Sequence, residues 1–156
     1  MKKALFISST GGHFSELMML KPMFEDFNYH IITEKTKTNK SLKKIYGKKM
    51  NFLVYGTKDH MFTYIFKLSY NILKSLVLFI KIRPNVVITT GTHTAVPMCY
   101  IAHLFKKKVV FIETFANVTT RTMSGNIVYK IADLFVVQWE EMKKLYPNAV
   151  YLGGVF

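Results

Sequence analysis

Three polar corners in this sequence carry residue types that could do chemistry. The first is Ser9-Thr10-Gly11-Gly12-His13, which follows the apolar run Ala4 to Ser8 and opens a helix-like stretch from His13 onward. Paired glycines at a strand-to-helix corner let a ligand come close to the backbone. The unpaired N–H groups of the helix's first turn and the positive end of its dipole face the same space, which suits a phosphate or another anion. His13 stands at the mouth of that corner. An imidazole titrates near neutrality, and a helix N-terminus is expected to lower its pKa and favour the neutral, basic form. The second corner, Gly91-Thr92-His93-Thr94, follows Val86 to Thr90, and the third begins at Glu113 and continues through the polar stretch Thr114 to Met123, which holds Arg121. Glu113 reads either as a proton acceptor or as a cap on the loop behind it. His93 reads as a corner residue making a polar contact and Glu16 as a complement to its helix dipole. Asp133 reads as a helix end, and His103 and Trp139 as packing residues.

The stretches between these corners alternate. Short apolar runs at Ala4–Ser8, Tyr29–Thr33, Asn51–Tyr55, Val86–Thr90, Lys108–Glu113, Leu134–Gln138 and Ala149–Leu152 predict strands. Helices are predicted at about His60–Ile82, Ala95–Phe105, Ser124–Ala132 and Glu140–Tyr146, with Pro97 tolerated in a first turn. The Lys-rich stretch Glu34 to Lys49 predicts an exposed loop with some helix. Strands alternating with helices imply βαβ units, hence a doubly wound parallel α/β sheet with Rossmann-like architecture in a single domain over residues 1–156. Ligands of such sheets bind beyond the carboxyl ends of the strands, where the three corners collect. The first strand is not followed by GxGxxG, so a dinucleotide site is not expected.

The net charge of +13 on 156 residues calls for an anionic partner. The lysines are dispersed, with no basic recognition helix or RNA-stacking motif, which argues against nucleic acid. The lone Cys99, within an apolar run, excludes an intrachain disulfide framework and fits a reducing compartment. The opening MKKALFIS reads as a first strand rather than a leader, because its apolar run is short and no small-x-small pattern follows.

The helix at His60–Ile82 is unusually apolar. Lys67, Lys74 and Lys81 recur every seven residues and share one face, which His60 and Asn71 extend and Leu78 interrupts. The rest, including Phe62, Phe66 and Leu73, forms an apolar arc wider than one packing stripe needs. A charge near mid-bilayer costs roughly 2.5–3.5 kcal/mol, whereas each Leu, Ile or Phe returns only about 0.3–0.6 kcal/mol. A helix lying in the interface, its lysines among anionic head groups, accounts for the pattern better than one that spans.

The segments ISSTGGHFSEL, GTHTAVPMCYIAHLF, FIETFANVTTRTMSGNIVYKIADLFVVQWEEMKKLYP and YLGGVF resemble the membrane-associated subunit of two-part glycosyltransferases. Eukaryotic members serve the enzyme that adds the second GlcNAc to a dolichol-diphosphate oligosaccharide. Bacterial ones act in capsule and exopolysaccharide synthesis as enhancers of a β-1,4-galactosyltransferase. The eukaryotic protein has an N-terminal membrane anchor, which is not seen here. Where the family usually has an arginine after the Glu113 corner, this chain has Asn117, with Arg121 four residues on.

The resemblance implies the N-terminal, acceptor-side half of a GT-B enzyme, with the UDP-sugar donor held mainly by a separate subunit. It implies no cofactor and no metal, in keeping with the lack of a DxD-type pair. The acceptor would be a sugar on a polyprenyl diphosphate at the cytoplasmic face of the membrane, where the chain sits as a peripheral or monotopic protein. Acceptor contacts would come from Thr10, Gly11, Gly12, Gly91, Thr92, His93, Thr94 and Arg121, and the base in an inverting transfer would be His13 or Glu113. Membrane contacts would come from Phe62, Phe66, Lys67, Leu73, Lys74 and Lys81, and the partner interface from Leu152, Val155 and Phe156. The competing expectation is a non-catalytic adaptor that brings the catalytic subunit to the membrane.

Overall fold

The computed structural model describes residues 1–56 and 61–156, with side chains described outside 57–64. His60 and the side chain of Phe62 therefore lie outside the described residues.

In β1 (Lys3–Ile7) successive side chains point to opposite faces, and both faces are covered: Leu5 and Ile7 pack on one side, Ala4 and Phe6 on the other. A strand covered on both sides must be apolar throughout, which is why these runs stand out in the sequence. With β2 (Asn28–Lys35), β3 (Met50–Val54), β4 (Val86–Thr89), β5 (Lys108–Ile112), β6 (Leu134–Val137) and β7 (Val150–Tyr151) it forms one seven-stranded sheet. The order is β3-β2-β1-β4-β5-β6-β7 and every pair is parallel, a Rossmann-like topology. Helix α1 (Gly12–Met19) covers the Phe6 face together with a 3-10 turn at Lys21–Asp26, while α2 (Leu42–Tyr46) leads into β3. Helices α3 (Met61–Ile82), α4 (Val96–Leu104) and α5 (Met123–Val128) cover the Leu5 face. The chain thus leaves β1 toward one face and β4 toward the other. The crevice this opens at the carboxyl ends of β1 and β4 is where such sheets hold ligands.

Several elements differ from expectation. Strand β2 runs on to Lys35, because Thr33, Glu34 and Lys35 continue the ladder against Phe52, Leu53 and Val54. Glu34, expected in an exposed loop, is therefore only 2% exposed and accepts a 2.6 Å bond from Thr94 Oγ1. Helix α5 stops at Val128, well before Ala132, and is followed by a turn in which the N–H groups of Ile131 and Ala132 both donate to the Val128 carbonyl. The helix expected at Glu140–Tyr146 is a 3-10 turn, Glu140–Lys144.

Asn71, expected on the lysine stripe of α3, is buried. Its amide clamps both backbone groups of Val54, accepting from N–H at 2.9 Å and donating to the carbonyl at 2.8 Å. Leu78 is buried as well, so the stripe is a margin rather than a face. Lys67, Lys74 and Lys81 flank an exposed apolar face made by Phe66, Leu73, Val77 and Ile80, with Phe66 75% and Leu73 65% exposed. Among the described residues no helix is long and apolar enough to cross a membrane. At the other end of the chain, Val155 and Phe156 fold back onto the Phe6 face, and the Val155 N–H donates to Gln138 Oε1 at 2.8 Å. Leu152 stays exposed.

Candidate functional site

The β1 and β4 corners are sewn together by hydrogen bonds. Ser9 N–H donates to Thr92 Oγ1 at 3.2 Å, Thr90 Oγ1 donates to the His13 carbonyl at 2.7 Å, and His13 Nδ1 lies 2.9 Å from the Thr90 carbonyl. Thr92 N–H donates onward to Ser124 Oγ at 3.2 Å, which ties in α5. Thr92 has φ 77°, a conformation that costs a threonine about 1–3 kcal/mol, and its hydrogen bonds to the β1 corner and to α5 hold it there. Gly11, at φ 77° and ψ −143°, occupies a region open essentially to glycine alone. It leaves the N-terminus of α1 without a side-chain cap, so the first turn faces solvent.

A carbonyl only accepts, so Nδ1 of His13 carries the ring proton in the neutral form and Nε2 carries the lone pair. Glu16, one turn along α1, comes within 3.5 Å of the same Nδ1 through Oε2, an atom buried without a hydrogen-bond partner of its own. Its other oxygen accepts from Thr114 Oγ1 at 2.7 Å and from Phe115 N–H at 3.1 Å. The carboxylate of Glu16 raises the pKa of His13 and prevails over burial, which acts the other way. Where the helix N-terminus was expected to lower this pKa, the contact with Glu16 raises it. Burial pushes Glu16 up, but the neighbouring His13 and the bonds from Thr114 and Phe115 prevail and hold it below the usual carboxylate range. Glu16 is thus a partner of His13 rather than a dipole complement, a role the i, i+3 spacing on one helix face was capable of signalling.

Glu113 occupies a different environment. It is 1% exposed and accepts from Thr114 N–H at 3.1 Å, from Thr122 Oγ1 at 2.9 and 3.0 Å, and from Tyr146 OH at 3.1 Å. Thr122 Oγ1 in turn caps α5 by accepting from Gly125 N–H at 2.9 Å. Burial raises the pKa of Glu113 against the pull of these donors. Glu113 is not among the residues lining the trough beyond His13, and its bonds to Thr114, Thr122 and Tyr146 knot the β5–α5 loop.

Beyond His13 opens a trough of about 700 Å³ between α3, α4 and α5. His13, Thr92, His93 and Ser124 form its polar end, while Leu68, Ile72, Val96, Tyr100, Leu104 and Ile127 make the rest apolar. Leu104, at the far end, is 75% exposed, so the trough runs out onto the apolar surface of α3 and α4. His93 lies 3.9 Å from Glu34, and Thr94 is committed to the same carboxylate. Thr10 sits half-buried, its carbonyl accepting from Ser9 Oγ at 3.2 Å. Arg121 does not face the trough. Its guanidinium donates to Asn126 Oδ1 at 3.0 Å and to the Leu145 carbonyl, 5.0 Å above the Tyr146 ring. Trp139 donates to the Phe115 carbonyl at 2.8 Å and so supports the loop that grips Glu16. Among the described residues no group of His, Cys, Asp and Glu gathers in a metal-binding arrangement.

A profile of the family described as "Oligosaccharide biosynthesis protein Alg14 like" matches residues 4–155. The chain belongs to this family. The UDP-N-acetylglucosamine transferase subunit ALG14 of Rattus norvegicus is 36% identical over 97 residues, covering 58% of this chain and 45% of that protein. The subunit of the same name from Homo sapiens is 37% identical over 81 residues, 48% of this chain and 38% of that one. The match therefore spans less than half the length of these Alg14 relatives. Among solved structures, MurG of Acinetobacter baumannii superposes with a TM-score of 0.73 at 15% identity, covering 90% of this chain and 43% of that one. The UDP-N-acetylglucosamine 2-epimerase of Rickettsia bellii does so with a TM-score of 0.74 at 13% identity, covering 99% and 45%. These likenesses establish the Rossmann-like fold. The names of these Alg14 relatives carry N-acetylglucosamine, and none carries galactose or capsule synthesis.

Proposed function

We propose that this Alg14-family chain is the acceptor-side subunit of a UDP-sugar-dependent glycosyltransferase and works on the cytoplasmic membrane face with a separate donor-binding subunit. The observation that carries the reading is the position of His13. It is a histidine with Nδ1 fixed by Thr90 and Glu16, beside an uncapped helix N-terminus and at the polar end of an apolar trough. An amphipathic acceptor, a sugar on a polyprenyl diphosphate, matches those three features in order. The sugar lies by His13, the diphosphate by the first turn of α1, and the first isoprenoid units along Leu68, Ile72, Tyr100 and Leu104.

In the chemistry this supports, an acceptor hydroxyl gives its proton to Nε2 of His13 as its oxygen bonds to the anomeric carbon of the donor. The bond from that carbon to the UDP oxygen breaks, and UDP leaves. Thr90 and Glu16 hold the ring and stabilise the imidazolium that forms. The relatives' names favour UDP-N-acetylglucosamine as donor, and UDP-galactose, implied by the bacterial resemblance, is the second to test. The experiment is transfer to a lipid-linked acceptor by the chain with its partner, comparing wild type with His13→Ala. A loss of about a hundredfold, typical of a removed general base, is expected with the fold intact. If His13→Ala retains full transfer while Phe66→Glu with Leu73→Glu abolishes it, the chain is an adaptor and not a catalytic subunit.

A further inference from the structure

On the α3 side of the sheet the apolar pattern breaks at the amino ends of three neighbouring strands. Facing α3, β1 reads Lys3, Leu5, Ile7, β2 reads His30, Ile32, and β3 reads Asn51, Leu53. Leu5, Ile7, Ile32 and Leu53 are core, whereas Lys3, His30 and Asn51 are polar, and the ladder sets His30 beside Leu5 and Asn51 beside Ile32. With Lys43, Lys48 and the last turn of α3 these residues line a cavity of about 350 Å³. It lies at the edge of the sheet opposite His13, since α3 returns the chain from the end of β3 to the start of β4. Along α3, Leu68 and Ile72 line the trough whereas Leu78, Lys81 and Ile82 line the cavity, so at 1.5 Å per residue the two lie about 15–20 Å apart along the helix.

Among the described residues the lining holds four lysines, Lys3, Lys43, Lys48 and Lys81, one histidine, and no carboxylate. Lys3 Nζ donates to the Ile82 carbonyl at 3.1 Å and Lys43 Nζ donates to the Met50 carbonyl. These bonds fix the ammonium groups without neutralising them. His30 Nδ1 is buried and has no hydrogen-bond partner. Burial, then the charges of Lys3 and Lys49, hold the His30 ring below its usual pKa. A cavity lined by four lysines and a histidine is complementary to an oxyanion.

We infer that this cavity binds the phosphate of an anionic lipid head group. A lipid is favoured over a soluble phosphate because Lys81 shares the last turns of α3 with Val77 and Ile80, which are exposed on the helix's apolar face. A membrane touching that face presents its head groups at the cavity. The inference rests on α3 lying on the membrane. It adds a second, polar anchor remote from the acceptor site, one that fixes how the sheet is turned about α3.

The test compares flotation with vesicles of phosphatidylcholine alone and of phosphatidylcholine with phosphatidylglycerol, for wild type, Lys48→Glu/Lys81→Glu and Lys67→Glu/Lys74→Glu. The first pair is in the cavity and the second is on the same helix outside it. Both pairs are expected to weaken binding to the anionic vesicles, the outside pair by about thirtyfold through lost surface charge and the cavity pair by at least tenfold more than that, with binding to neutral vesicles retained. The His30 ring resonance, assigned with His30→Gln, is expected to move on adding short-chain phosphatidylglycerol and to stay put with inorganic phosphate. Equal losses in the two pairs, an unmoved His30, or a shift with inorganic phosphate alone overturns the assignment. Wild type failing to float with either vesicle refutes the membrane role of α3 itself.

Discussion

His13 and Thr90 exchange two hydrogen bonds across the seam between β1 and β4. The Thr90 hydroxyl donates to the His13 carbonyl at 2.7 Å, and His13 Nδ1 donates to the Thr90 carbonyl at 2.9 Å. The pair locks both the backbone and the ring of His13, so the lone pair of Nε2 has one orientation. Thr90→Val removes the first bond and loosens the corner. It is expected to lower kcat with little change in KM, measured with the partner present.

With His13 as the proposed base, Glu16 is expected to set the pH at which it works. The folded pKa of His13 is raised, chiefly by Glu16. A general base must be neutral, so transfer should rise with pH as His13 loses its proton. In Glu16→Gln that acid limb should move to lower pH, and the ring resonance of His13 should titrate at lower pH too. The sign for stability follows from the same shift. The contribution of charged His13 is present below the unfolded pKa of about 6.5 and fades as pH rises through the higher folded value. An acid limb that stays where it is in Glu16→Gln removes Glu16 from this role.

The order of elements and the corners were legible because a parallel sheet buries both faces of its strands, leaving continuous apolar runs broken at their ends by Gly, Thr and His. What was not legible depends on contacts across long separations. Glu16 reaches Thr114 and Phe115, close to a hundred positions away, and no local pattern announces such a bond. Glu34 looked like surface beside a lysine-rich stretch, yet Thr94 and the β3 ladder enclose it. Glu113 stood out as an ionisable strand end, but its surroundings were set by Thr122 and Tyr146, whose approach depends on how α5 packs.

Gly125 tests the buried knot. A Cβ there would contact Glu113 Oε2 and lie 2.6 Å from Thr122 Oγ1 and 2.7 Å from Tyr146 OH. Gly125→Ala is expected to cost about 1–3 kcal/mol, read as a lowered urea midpoint, through overpacking. Glu113→Gln should also lower stability, because an amide nitrogen would then face the hydroxyl donors. If Glu113→Gln unfolds at the wild-type midpoint yet abolishes transfer, Glu113 is chemical rather than structural.

The two glycines of the first corner should separate fold from binding. Gly11 holds a conformation that other residues resist, so Gly11→Ala is expected to lose about 1–3 kcal/mol of stability. Gly12 has ordinary φ, and a Cβ there meets nothing within 4 Å. Gly12→Val should therefore fold and fill the space in front of α1 that a diphosphate would occupy, raising KM for the lipid-linked acceptor. Unchanged KM in a folded Gly12→Val protein moves the diphosphate elsewhere.

The reading of this chain as one half of an enzyme makes a prediction at its end. The chain supplies one sheet edge, and the polar corners there are taken up by His13, Glu16 and the residues that hold them. A lone half leaves the attacking hydroxyl in water beside an unpositioned donor and forfeits the advantage of a shared site. Turnover by the purified chain with any UDP-sugar is therefore expected to be negligible without a donor-binding subunit. Where that subunit docks is tested best at Leu152. Deleting Gly153 to Phe156 is a poor probe, because Val155 and Phe156 pack against the Phe6 face and their loss would uncover core. Leu152, at 69% exposure, has no such task. Leu152→Asp is expected to leave the thermal midpoint within a degree or two, as surface changes do, while cutting co-purification with the partner at least tenfold. Full co-purification by a folded Leu152→Asp protein places the interface away from the end of β7.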